Sequence, residues 1–84
     1  MSNLKQQFND MVERVKSGDG IDFKPNNMQK LEIYALYKQA TEGDVQGEEP
    51  GVANIVERAK YLAWQKLSGM SSEEAMQKYI DYFS

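Results

Sequence analysis

The sequence predicts an all-α fold, a bundle of four helices. In four separate stretches, apolar residues recur three and four positions apart, which is the spacing of one helix face. Residue types that cap helix N-termini lie near the start of these stretches. No stretch of useful length alternates apolar and polar residues as a half-buried strand does. Because the chain has 84 residues, we expect a single domain that covers residues 1–84.

The first predicted helix begins at Asn3, which forms a possible capping box with Gln6. It extends for about three turns, and its apolar face consists of Leu4, Phe8, Met11, Val12 and Val15. The segment Ser17-Gly18-Asp19-Gly20 ends it. In the loop that follows, Phe23 is expected to pack on the core, with contact to a ligand as the alternative.

The second helix is predicted to begin at Asn26 or Asn27 and to run through Thr41. Asn26 and Gln29 form another possible capping box, and Gly43 suits the left-handed C-cap conformation. Apolar residues cover more than half of the circumference of this helix. We therefore expect neighbours on two sides, as in a central helix or a helix that has a ligand on one side.

The third helix is predicted to begin at Pro50-Gly51, to extend to about Ser68 and to be capped by Gly69. Trp64 is expected to be an anchor of the core. Ser71 and Glu74 form the clearest capping box and begin the fourth helix. Its apolar face consists of Ala75, Met76, Tyr79, Ile80 and Phe83.

The composition argues against catalysis and metal binding. The chain contains no cysteine and no histidine, so thiolate sites, disulfides and the commonest general base and metal ligand are excluded. The adjacent carboxylates Glu48-Glu49 and Glu73-Glu74 lie in a loop and at a helix cap, which does not suit a catalytic acid and base. We predict that the protein is not an enzyme and needs no metal or cofactor.

Charge and hydropathy set expectations about partners. A formal net charge of −3 argues against a nucleic-acid binder. The apolar runs are far too short for a membrane span, and no signal-peptide pattern begins the chain. We therefore expect a cytoplasmic monomer that does not insert stably into membranes.

A candidate ligand site lies in the second half of the second helix. Tyr34, Tyr37 and Lys38 are three and four positions apart, so they are neighbours on the helix surface. Two aromatic rings and an ammonium suit a ligand that has a flat ring and a phosphate group. The spacing by itself favours a pair of core tyrosines beside a solvated lysine, with the ligand site as the alternative.

A resemblance favours the ligand site. The string Tyr-x-x-Tyr-Lys-Gln-Ala-Thr-x-Gly-Asp at residues 34–44 resembles the signature of the acyl-CoA-binding protein family. Further matching pieces follow in the family's order: Pro50, Ala59-Lys60, Ala63-Trp64, Leu67, Gly69, Ser71, Glu74-Ala75-Met76 and Tyr79-Ile80-Asp81. With Phe8, Val15-Lys16 and Lys24-Pro25 added, the resemblance covers nearly the whole chain.

The resemblance implies an up-down-down-up bundle that binds medium- to long-chain acyl-CoA esters non-covalently and carries them within the cell. It assigns the 3′-phosphate of the CoA ribose to Tyr34, Lys38 and Lys60. It also implies that the adenine or ribose packs against Tyr37 and Tyr79. Lys16 would approach the head group from the first helix.

The same resemblance places Leu31 near the acyl chain, where several positions depart from the family's pattern. Lys30 and Glu32 stand where apolar residues are usual, and Val56 stands where a lysine often adds to the phosphate cluster. The fourth helix also stops early. We expect recognition of the head group to be retained and the preference for chain length to be altered.

Two functions of other classes remain open. One is a helical protein-interaction module in which the face of Tyr34 and Tyr37 docks a partner helix. The other is a lipid-surface binder, which is less favoured because none of the four helices is strongly basic.

Overall fold

The described residues form four helices and no strand, which confirms the all-α prediction. The structure is a computed structural model that describes residues 3–18, 20–21 and 23–84. The helices are α1 (Leu4–Ser17), α2 (Asn27–Glu42), α3 (Ile55–Gln65) and α4 (Ser72–Tyr82). Asp19, which the sequence places in the turn after the first helix, lies outside the described residues.

Three helices begin where the capping residues predict. The side-chain oxygen of Asn3 accepts a hydrogen bond from the Gln6 N–H at 3.1 Å. Asn26 and Gln29 form both halves of a capping box, at 2.8 and 2.9 Å. The Ser71 hydroxyl accepts from the Glu74 N–H at 3.0 Å. These local bonds satisfy N–H groups that have no partner within the helix.

The third helix begins later than predicted, at Ile55 rather than at Pro50-Gly51. A turn precedes it, closed by the Asn54 N–H donating to the Gly51 oxygen at 3.0 Å. Val52 and Ile55 are 79% and 76% exposed, so their apolar side chains do not mark a buried helix face. The helix also ends earlier than predicted, at Gln65. The backbone hydrogen bonds that follow join residues three positions apart, as in a 3₁₀-helix, and not four.

Gly43 ends α2 as predicted but in a different conformation. Its φ is 80° and its ψ is −149°, so it is extended rather than left-handed helical. This region of backbone space is essentially restricted to glycine. Its N–H still bonds to the Gln39 oxygen, at 3.1 Å.

The central helix is α2, on which both α3 and α4 pack. Tyr34 and Lys38 contact Lys60 and Trp64 in that order, so α2 and α3 run in the same direction. Glu32 bonds to Tyr82 and Gln39 to the main chain of Met70, so α4 runs in the opposite direction. The first helix packs on α4. Its start at Lys5 shares an opening with Ser72 and its end at Lys16 shares another with Phe83, so α1 and α4 run in the same direction. This is the expected up-down-down-up arrangement.

The core lies between α1, α2 and α4. Phe8 is 2% exposed and Ala75 is fully buried. The Phe8 ring lies 5.1 Å from the Tyr79 ring and 6.1 Å from the Tyr37 ring, measured between centroids. On the α3 side, the buried Trp64 anchors the bundle as expected, and its Nε1–H donates to the Gly43 oxygen at 2.8 Å.

Candidate functional site

A groove of about 490 Å³ opens between α1, α2, α4 and the loop before α2. We call it the tyrosine groove, because Tyr34, Tyr37 and Tyr79 form much of its wall. The rest of its lining is mostly apolar, with two lysines: Val12, Val15, Lys16, Gly18, Ile21, Phe23, Pro25, Lys30, Ile33 and Phe83. Its volume lies within the roughly 300–1,000 Å³ that is usual for small-molecule sites.

A chain of aromatic contacts supports the wall of the groove. Tyr37 and Tyr79 pack on the buried Phe8 ring of α1. The Phe83 ring lies 5.3 Å from the Tyr79 ring and 5.9 Å from the ring of Phe23, in the loop before α2, measured between centroids. The walls are therefore fixed by packing between helices, and a flat apolar ring can enter between them.

The hydroxyl of Tyr79 remains protonated at neutral pH. Burial of the side chain, followed by the neighbouring Tyr37, raises the pKa of Tyr79 to about 12. A protonated phenol can both donate and accept a hydrogen bond. The groove thus offers hydrogen-bonding groups on an apolar wall, together with the exposed ammonium groups of Lys16 and Lys30 at its surface.

Lys38 and Lys60 lie beside the groove and not in its lining. The Lys60 Nζ lies 5.4 Å from the centroid of the Tyr34 ring, and the Lys38 Nζ lies 5.0 Å from the Trp64 ring. Tyr34 connects the groove with the lysines, because it lines the groove and its ring also lies under Lys60. The two cations therefore flank the groove where α2 meets α3.

Each of these lysines has an acidic neighbour. Lys38 bonds to Glu42, one turn further along α2, and this hydrogen bond is the main reason that the pKa of Lys38 is raised. Lys60 lies 3.8 Å from a Glu57 carboxylate oxygen. An incoming anion would therefore compete with these carboxylates for both lysines.

Leu31 lies apart from the other predicted contacts. It lines a second opening of about 550 Å³ between α2, α3 and α4, which we call the rear cleft. Glu32 lines the same cleft and accepts a hydrogen bond from the Tyr82 hydroxyl at 2.7 Å. Lys30 instead lines the tyrosine groove. The structure therefore brings Lys16, Tyr34, Tyr37 and Tyr79 together, places Lys38 and Lys60 beside them, and separates Leu31.

Sequence reasoning missed two aromatic residues of these openings. Phe83 lines the tyrosine groove and Tyr82 lines the rear cleft. A signal was present for Phe83, because it follows Tyr79 by four positions and so lies on the same helix face. Tyr82 carried no comparable signal, since its partner Glu32 lies 50 positions earlier in the chain.

Residues 3–18, 20–21 and 23–84 contain no cluster of three or more acidic side chains that could hold a metal ion. In the same part of the chain, no helix combines the length and the apolar character that a bilayer crossing requires.

Comparison with known sequences gives a consistent match. A model of the family described as "Acyl CoA binding protein" matches residues 5–83. The acyl-CoA-binding protein of Saccharomyces cerevisiae is 46% identical over 68 residues, covering 81% of this chain and 78% of that protein. The acyl-CoA-binding protein homolog of Drosophila melanogaster is 40% identical over 79 residues, covering 94% and 88%.

Solved structures give the same result for the fold. The crystal structure of Oryza sativa acyl-CoA-binding protein 2 superposes with a TM-score of 0.86 at 38% identity, covering 96% of this chain and 87% of that one. The crystal structure from Moniliophthora perniciosa gives a TM-score of 0.85 at 40% identity, covering 98% and 76%.

Proposed function

The chain belongs to the acyl-CoA-binding protein family, and we propose from this membership and from the tyrosine groove that it binds medium- to long-chain acyl-CoA esters non-covalently. The observation that carries the proposal is the position of Lys60 over the ring of Tyr34, at the edge of a groove lined by three tyrosines. This places cationic donors next to an aromatic wall, as a nucleotide head group requires.

The 3′-phosphate of CoA is assigned to Tyr34, Lys38 and Lys60. Hydrogen bonds between ionised donors and phosphate oxygens are about twice as strong as neutral ones. Lys38 and Lys60 stand on two parallel helices, over the rings of Trp64 and Tyr34, and we assign both to the same phosphate. Their present carboxylate neighbours, Glu42 and Glu57, lie on the same helices, and the phosphate would compete with them.

The adenine or ribose is assigned to Tyr37 and Tyr79. The aromatic rings provide a flat apolar surface whose position is fixed by the buried Phe8. The protonated Tyr79 hydroxyl adds no charge to the wall at neutral pH. Lys16, at the exposed margin of the groove, is the proposed contact from α1 to the remaining phosphates.

The acyl tail supplies the apolar part of the binding energy. Each methylene removed from water contributes roughly 0.8 kcal/mol before ordering costs. Leu31 is the proposed tail contact. It precedes Tyr34 by one helical turn, so a tail that leaves the groove beside Tyr34 and runs toward the N-terminus of α2 can reach it. The role that follows is buffering and carriage of the ester by a single binding domain in the cytoplasm, with no catalytic step.

Calorimetry tests this proposal. Palmitoyl-CoA, octanoyl-CoA and free CoA are titrated into the wild-type protein, with unfolding followed in parallel. Saturable binding of one ester per chain, with palmitoyl-CoA tighter than free CoA, is the expected result. A folded protein that binds none of the three would contradict acyl-CoA binding. Equal affinity for free CoA and its esters would leave a head-group binder that does not carry acyl chains.

A further inference from the structure

The lining of the tyrosine groove contains two lysines, Lys16 and Lys30, and no Asp or Glu among the described residues. Both lysines are exposed, and within residues 3–18, 20–21 and 23–84 neither forms an ion pair. They differ in this from Lys38 and Lys60, each of which has an acidic neighbour. An anion that enters the groove would therefore displace no described carboxylate from Lys16 or Lys30.

The topology of the bundle brings these two lysines to the same end of the groove. Lys16 lies in the last turn of α1, and Lys30 lies in the first turn of α2. Because α1 runs with α4 and α4 runs against α2, the end of α1 lies at the level of the start of α2. The two ammonium groups stand on different helices that border one opening. A doubly charged anion at this end of the groove thus has a lysine on either side.

The position of Lys30 relative to Tyr34 separates two places for anions. The two residues are four positions apart and line the same groove, so they share one face of α2. They are separated by about 6 Å along the helix axis. The Tyr34 ring also lies under Lys60 of α3, at 5.4 Å. Tyr34 therefore stands between Lys30 in the groove and Lys60 at its edge, and a ribose that carries phosphate groups on its 3′ and 5′ oxygens presents two anions on a similar scale.

The third helix adds no further cation beside Lys60. The position one turn before Lys60 is taken by Val56, which is 62% exposed and apolar. Arg58 on the same helix forms an ion pair with Glu49 and donates a hydrogen bond to the Pro50 oxygen at 3.3 Å. A second anionic group of the ligand is therefore served by the lysines of the groove and not by this part of α3.

We infer that Lys30, together with Lys16, holds the 5′-diphosphate of the CoA head group, in a subsite separate from that of the 3′-phosphate. The inference rests on the proposed function and adds Lys30 to its binding residues. The aliphatic stem of Lys30 can lie along the apolar wall while its ammonium group stays in water, so this position costs no burial of charge. With both anionic groups held, the adenosine is fixed at two points. The site then selects CoA esters over esters that carry a single phosphate group.

Calorimetry with palmitoyl-CoA and its 3′-dephospho form tests the inference on Lys30→Met, which removes the charge and keeps a straight apolar stem. Binding of both ligands should weaken by about two- to fivefold, the usual scale of an exposed ion pair. Because the two subsites are separate, this factor should be the same with either ligand, and it should shrink as salt is added. Lys5→Met is the matched control, since Lys5 is exposed and outside the lining of the groove.

Phosphorus nuclear magnetic resonance of bound octanoyl-CoA identifies which phosphate is affected, because the 3′-phosphate and the diphosphate give separate signals. Lys30→Met should shift the diphosphate signals and leave the 3′-phosphate signal in place, and Lys60→Ala should do the reverse. A Lys30→Met protein that binds palmitoyl-CoA as tightly as the wild type would overturn the inference alone. Tighter binding would assign Lys30 to the acyl tail and also overturn it. A folded wild-type protein that binds no CoA ester would overturn the proposed function, and this inference with it.

Discussion

The ammonium nitrogen of Lys60 on α3 lies 5.4 Å from the centroid of the Tyr34 ring on α2. An exposed contact of this kind is worth about 0.5–1 kcal/mol, so its main consequence is placement. The two helices run in parallel, and the contact aligns a cation of one with a phenol of the other at the edge of the tyrosine groove. The position of Lys60 toward a bound ligand depends on this alignment.

The first prediction concerns the 3′-phosphate. Lys60→Ala should weaken palmitoyl-CoA binding by about tenfold to a hundredfold, because a hydrogen bond to a charged group contributes about 1.5–3 kcal/mol. Removing the 3′-phosphate from the ligand should cost a similar factor. When Lys60→Ala is combined with the ligand that lacks the 3′-phosphate, the two losses of affinity should not multiply, because each change deletes the same interaction. Calorimetry on all four combinations measures the coupling.

The control for this cycle is Lys5→Ala, which removes an exposed lysine in the first turn of α1, outside the lining of the groove. It should leave both ligands unaffected apart from a small general charge effect. If the Lys60→Ala loss were as large with the dephosphorylated ligand as with the complete one, Lys60 would contact another part of the molecule.

The second prediction concerns Glu42, which pairs with Lys38. A bound phosphate must compete with this carboxylate, so Glu42→Gln should tighten palmitoyl-CoA binding by about two- to fivefold, the usual scale of an exposed ion pair. The gain should shrink as salt is added. Glu48→Gln, in the following loop, is the control for the change in net charge. Weaker binding in Glu42→Gln would mean that the ion pair orients Lys38 for the ligand.

Local patterns predicted the parts of the fold that depend on local bonds. The starts of α1, α2 and α4 were predictable because a capping side chain bonds to an N–H three residues away. The start of α3 was not, because Asn54 makes no side-chain cap and the apolar residues before and after it are exposed. Hydrophobic spacing alone cannot distinguish an exposed apolar residue from a buried one.

In the candidate site, too, contacts within one helix were predictable and contacts between helices were not. Tyr34 and Tyr37 were predictable as neighbours, because they lie three positions apart on one helix. The other contacts follow from how α3 and α4 pack on α2. Lys38 lies over the Trp64 ring and Lys60 over the Tyr34 ring, and Glu32 accepts a hydrogen bond from Tyr82. Such contacts join positions far apart in the chain, and periodicity does not encode them.

The third prediction concerns pH. One carboxylate oxygen of Asp44 accepts hydrogen bonds from the Gly69 N–H and from the Gln39 side chain, both at 2.8 Å. The Gly69 bond, and then the Gln39 bond, hold the pKa of Asp44 below its usual value of 3.8. A lowered folded pKa means that the charged form stabilises the fold above the unfolded pKa. This contribution is lost as the pH falls through the folded value.

Denaturant unfolding at pH 7 and at several values below 3.8 measures this effect. Asp44→Asn keeps a side-chain oxygen that can accept both bonds but does not titrate, so its stability should fall less over the acid range. Asp44→Ala removes the acceptor and should be less stable than the wild type at pH 7. If Asp44→Asn and the wild type lost the same stability as the pH falls, the loss would come from other carboxylates.

The last prediction concerns Gly43, whose φ of 80° and ψ of −149° end α2. A Cβ at this position would meet no atom within 4 Å, so the cost of Gly43→Ala comes from the backbone and not from a clash. Conformations of this kind cost about 1–3 kcal/mol for other residues. The free energy of unfolding should therefore fall by about 1–3 kcal/mol, as measured by denaturant unfolding.

The matched control is Gly51→Ala, because Gly51 also has open space around it but no positive φ. It should change stability little. The Gly43 oxygen accepts the Trp64 Nε1–H bond at 2.8 Å, so a shift of the Gly43 backbone should also change the indole environment. Trp64 is the only tryptophan of the chain, and its fluorescence reports this directly. A Gly43→Ala protein with wild-type stability and an unchanged indole signal would show that this end of α2 tolerates an ordinary residue. The geometry of Gly43 would then not be what fixes Trp64 against α2.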